Sequence, residues 1–148
     1  MRLDPALLGE IARIAQRLCT QDNRLTEAPI FIVEEQHRVY GFDPAYGRPI
    51  VWIDTANDSV EADPEEHARL EAEWDESGDE PDGWTRTAYQ DDWRFVTACF
   101  TEAGCAEYIR INGHNHRGTL RIYAAGSYRN EEFRVVRRLL LALSGGTP

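Results

Sequence analysis

Between Thr101 and Leu143 the sequence prescribes helix, polar turn, short strand, polar turn and helix, and no other stretch fixes so much of the fold. Thr101 is placed to cap a helix in which Cys105, Tyr108 and Ile109 share a face, and Gly113 is expected to give it a left-handed exit. Leu120 to Ala125 reads as a strand. Asn130 then caps a last helix with Phe133, Val136, Leu140 and Leu143 on one side. Both corners of this unit are dense in hydrogen-bonding groups. The first holds Asn112, His114, Asn115 and His116; the second holds Ser127, Tyr128, Arg129 and Asn130.

The preceding chain supplies the partners for that unit. Asp4-Pro5 is a helix-start signal, and Leu7, Leu8, Ile11, Ile14, Ala15 and Leu18 form an apolar stripe behind it. This helix delivers the chain into a third polar cluster, Thr20-Gln21-Asp22-Asn23-Arg24. Pro29 to Tyr40 and Ile50 to Ile53 read as two strands, expected to pair antiparallel across a turn rich in Gly and Pro. Trp84 to Phe100 reads as a hairpin that reverses at Asp91-Asp92. Between these lies an acidic segment, Asp54 to Gly83, with a helix announced by Asp63-Pro64 and expected to be solvated and partly mobile. The sum is an α+β fold. It has an antiparallel sheet of about five strands, the N- and C-terminal helices packed on one face, and the acidic helical insertion. One domain over 1–143 with a flexible tail at 144–148 is expected.

Charge narrows the function classes. The net formal charge is −10, and every basic residue is arginine. From Asp54 to Asp82, thirteen acidic residues face a single arginine, Arg69, so this segment carries −12 and the remainder +2. An anionic surface repels nucleic-acid backbones, which argues against direct nucleic-acid binding. No apolar run approaches the ~20 residues needed to span a bilayer. Asp4 and Glu10 in the first helix argue against a signal peptide. Three cysteines without paired spacing suit a reducing cytoplasm.

No motif specifies a reaction or a cofactor. His114 and His116 with Cys99 or Cys105 lack the second spaced pair of a zinc site. Ser127 has no glycine-flanked elbow, and no glycine-rich phosphate loop is present. An enzymatic reading has only His114 near arginines behind it. The polar corners instead make a binding constellation of multi-donor groups: Gln21, Asp22, Asn23, Arg24, Asn112, His114, Asn115, Tyr128, Arg129 and Asn130. Arg129 and the free N–H groups at the start of the last helix suit an anion, and Tyr128 and His114 suit stacking on a base.

Several short stretches occur in an order that resembles a known family. They are Cys19-Thr20-Gln21-Asp22-Asn23-Arg24 followed by Ala28-Pro29-Ile30-Phe31, then Pro81-Asp82-Gly83-Trp84, Phe100-Thr101-Glu102, Ile111-Asn112-Gly113-His114-Asn115 and Tyr128-Arg129-Asn130. Together they resemble an uncharacterised family of small accessory proteins of bacteriophages and prophages. The resemblance brings no catalytic residues. It implies a host-cytoplasmic protein that interferes with host machinery or host defence. Two modes of action follow from the residues. One is stoichiometric binding of a small polar ligand such as a nucleotide signal, which requires the three corners to meet. The other is inhibition of a host defence or nucleic-acid enzyme through the acidic helix, by mimicking DNA charge or docking on a basic protein surface. Self-association into a homo-oligomer is compatible with either.

Overall fold

Each of the four helices begins where a side chain accepts a backbone N–H. The structure, a computed structural model, describes residues 4–144. Asp4 caps α1 (Pro5–Thr20), Asp63 caps α2 (Pro64–Ser77), Thr101 caps α3 (Glu102–Asn112) and Asn130 caps α4 (Glu131–Leu143). The strands are β1 (Pro29–Phe42), β2 (Ile50–Asp54), β3 (Val60–Glu61), β4 (Trp84–Cys99) and β5 (Leu120–Gly126). They form one antiparallel sheet in the order β3-β2-β4-β1-β5. The α+β class is therefore as the sequence indicates.

Two expectations about pairing are overturned. The chain from Trp84 to Cys99 is one long strand, with no reversal at Asp91-Asp92. A two-residue hairpin turn needs positive φ, and neither aspartate adopts it. Asp91 is instead drawn into the strand face by the Arg38 guanidinium, whose Nε and Nη2 donate to it at 2.8 and 2.9 Å. Because β4 runs unbroken, β2 pairs with it and not with β1, in the register Ile50↔Ala88 to Asp54↔Trp84. Helix α3 also ends differently from expectation. Gly113 stays right-handed and the chain tightens into a 3₁₀ turn over Gly113–Asn115.

The chain divides into two compact units. The first comprises residues 1–36 and 93–148. In it Phe31 and Val33 of β1 and Cys105 of α3 are buried, with Tyr108, Ile109, Leu120 and Ile122 packed around them. A second cluster joins α1 to α4 through Leu18, Leu140 and Leu141. The buried face of α4 is Phe133, Leu140 and Leu141, whereas Val136 and Leu143 are half exposed. Ser144 closes α4 by hydrogen bonding to the Leu141 carbonyl, so it belongs to the helix end; the rest of the expected tail, 145–148, lies outside the described residues.

The second unit is His37–Asp92. Here the acidic helix is not a loose appendage. Leu70 is fully buried, Trp74 meets the buried Trp52 edge-on with ring centroids 6.3 Å apart, and Glu71 accepts a hydrogen bond from Trp52 Nε1 at 2.8 Å. Both faces of the short strand β2 are covered, which leaves Val51, Trp52 and Ile53 all buried.

Candidate functional site

The first polar cluster continues α1. Gln21 donates to the Phe100 carbonyl and accepts the Glu102 backbone N–H, which ties α1 to the start of α3. Asn23 donates to the Leu18 carbonyl at 2.8 Å and so satisfies the helix end. Asp22 accepts the Arg24 backbone N–H and its Nε. These bonds, the backbone one foremost, hold the Asp22 carboxyl below its usual range. The Arg24 side chain itself is 93% exposed.

The corner before α4 lies at the same end of this unit. Ser127 N and Oγ both donate to the Ala28 carbonyl, and Phe100 stacks on Phe133 with centroids 4.8 Å apart. Asn130 accepts the Phe133 N–H, and the Arg129 guanidinium lies over the Tyr128 ring at 5.2 Å. A shallow recess of about 610 Å³ borders Arg129, but Glu131 and Glu132 line it too. An anion there would face two carboxylates.

The remaining corner does not join the other two. Asn112 to Asn115 sit at the far end of α3, whose eleven residues span about 16 Å. Asn112 donates to the Tyr108 carbonyl, while His114 and Asn115 are exposed and form no side-chain hydrogen bond among the described residues. Of the ten residues singled out by the sequence, the structure gathers Gln21, Asp22, Asn23, Arg24, Tyr128, Arg129 and Asn130 at one end. It leaves Asn112, His114 and Asn115 at another.

Two side-chain constellations escaped the sequence reading. Glu35 of β1 accepts backbone N–H groups from Arg117 and Gly118 and contacts His116 Nδ1 at 2.8 Å, with the Tyr108 hydroxyl 3.4 Å from Nε2. This carboxylate–imidazole–phenol chain has relay geometry, but its imidazole and carboxylate are only 15% and 12% exposed. Its evident work is to pin the 116–118 link, where a Cβ on Gly118 would lie 2.0 Å from the Gln36 carbonyl oxygen. The second constellation is Glu71, which takes the Arg86 fork at 2.9 and 3.0 Å as well as Trp52. Arg86 foremost holds the Glu71 carboxyl below its usual range. Both pairings join residues far apart in sequence, and only the acidic-basic composition hinted at them.

The acidic surface stands out once these partners are counted. Sixteen acidic residues against four arginines give the His37–Asp92 unit a formal charge of −12. Glu61, Glu66, Glu71, Glu73 and Asp91 are paired with Arg38, Arg69 or Arg86. Glu65, Asp75, Glu76, Asp79 and Asp82 are exposed and form no ion pair among the described residues. No group of three or more His, Cys, Asp or Glu side chains among the described residues is arranged to hold a metal ion. No described helix is long and apolar enough to cross a membrane. Comparison with family models, curated proteins and solved structures found no match to this chain.

Proposed function

We propose that the protein acts as a stoichiometric inhibitor that presents an acidic, DNA-like face to a basic protein surface. In the phage-type setting suggested by its motifs, the target would be a host defence or nucleic-acid enzyme. One observation carries this reading: five exposed carboxylates without cationic partners are displayed on and beside a helix whose opposite face is anchored by Leu70 and Trp74. An anchored array of like charge speeds encounter with a positive patch and keeps its register there. The small-ligand reading is less well served, because its three corners occupy two separate places and most of their side chains already close turns.

The test is inhibition of a panel of DNA-processing and nucleic-acid-directed defence enzymes at low and high salt. The variant combines Glu65→Gln, Asp75→Asn, Glu76→Gln, Asp79→Asn and Asp82→Asn, all at exposed positions where fold stability is insensitive. Wild type should inhibit at least one enzyme with strong salt dependence, and the neutralised variant should not. Equal inhibition by both proteins would overturn the reading, as would no inhibition of any enzyme.

A further inference from the structure

Within the acidic unit, one recess combines an apolar, aromatic wall with two carboxylates. A groove of about 480 Å³ is lined by Asp43, Pro44, Ala45, Ile50, Trp74, Glu80 and Arg86. Its wall is apolar and aromatic, and its rim carries two carboxylates, each set by a single backbone donor. Asp43 Oδ1 accepts the Ala45 N–H at 2.8 Å, and Glu80 Oε1 accepts the Arg86 N–H at 2.9 Å. Among the described residues, the second oxygen of each accepts no hydrogen bond and neither residue is in an ion pair. The one cation in the groove, Arg86, is neutralised by Glu71 through two hydrogen bonds. Its guanidinium lies 5.3 Å from the Trp74 ring centroid, so the aromatic wall already accepts a group of that shape.

We infer that this groove takes an arginine side chain from the basic partner of the acidic face. The inference rests on the function proposed above and names the anchor within it. The occupant follows from charge complementarity: an aliphatic stem lies along Ile50, Pro44 and Trp74, and a planar fork reaches the free oxygens of Asp43 and Glu80. Lysine would fit the stem but offers a point charge where the rim presents two separated acceptors. A groove whose acceptors are held by backbone N–H groups loses little freedom on binding. Buried arginines and tryptophans are also the residues on which interface affinity concentrates.

The experiment uses fluorescence anisotropy with labelled hexa-arginine and hexalysine peptides at one ionic strength. Wild type should bind hexa-arginine several-fold tighter than hexalysine. The Asp43→Asn, Glu80→Gln double variant keeps the oxygens that accept the backbone N–H groups, so it keeps the fold, which circular dichroism verifies. It should lose roughly tenfold in hexa-arginine affinity and most of the arginine preference. An equal change of charge away from the groove, Glu65→Gln with Glu76→Gln, should weaken both peptides alike and preserve the preference. If the groove variant behaves like this control, the arginine anchor is overturned while the acidic face stands. If wild type binds neither peptide, both fail.

Discussion

The two compact units use their polar side chains in opposite ways. In the unit built from residues 1–36 and 93–148, the polar corners turn inward on the chain. Asn23, Asn112 and Asn130 serve helix ends, Ser127 and Gln21 serve neighbouring carbonyls, and Glu35 is 12% exposed against His116. In His37–Asp92, arginines are too few for the carboxylates: Glu61, Glu66, Glu71, Glu73 and Asp91 are paired, while Glu65, Asp75, Glu76, Asp79 and Asp82 form no ion pair among the described residues. Density of polar residues therefore says little by itself. What distinguishes a binding surface is polar groups left over after the chain has satisfied its own turns.

The largest expected effect tests whether the acidic face is a built platform. Leu70→Ala should destabilise the His37–Asp92 unit by about 2–5 kcal/mol, read by urea denaturation. A loss below about 1 kcal/mol would return α2 to the status of a solvated appendage and dissolve the contrast.

Glu71→Gln sharpens the same point through pH. The Glu71 carboxyl is held below its usual range by Arg86, so the pairing stabilises fully above the ordinary glutamate value, about 4.3, and fades as pH falls through the depressed one. The variant should lose about 1–3 kcal/mol at neutral pH and show a flatter acid limb in thermal melts across pH 2 to 7, approximate bounds within which carboxylates titrate. An unchanged acid limb would show that this pair does not hold α2.

The smallest effects belong to the other unit. Asn130→Ala should cost about 1 kcal/mol as a lost helix cap, whatever nucleotide is present. Arg129→Ala should stay within about 0.5 kcal/mol of wild type. Calorimetric titration with cyclic and linear nucleotides should show no binding to either variant or to wild type. Wild-type binding that Arg129→Ala abolishes would break the comparison and restore the small-ligand reading.

The sequence made the helices legible because their signals are local. Asp4-Pro5, Asp63-Pro64, Thr101 and Asn130 each cap within three residues, and all four caps are where they were expected. Strand partners were less legible. The alternation of Trp84 to Cys99 is the same for a hairpin and for one long strand, and only the distant Arg38 decides between them at Asp91. The burial of Leu70 depends on the packing of α2 against β2, which nothing in the local pattern of α2 announces. The polar corners were seen as groups but not as already satisfied groups, because their acceptors are main-chain carbonyls at positions such as Phe100 and Ala28, invisible in a pattern of side chains.

The order of the sheet has a colloidal consequence. On one side it ends in β3, only two residues long and placed in the acidic segment, a blunt border that gives an incoming strand almost nothing to pair with. On the other it ends in β5, seven residues from Leu120 to Gly126 with Tyr123 half exposed. The one charge along it, Arg121, is engaged by Glu34 and lies over the Trp93 ring. Strand addition, the first step toward fibrils, is thus directed to a single border of the sheet. In concentrated samples near the isoelectric point, about 4.8, where net charge no longer keeps copies apart, growth should begin along β5.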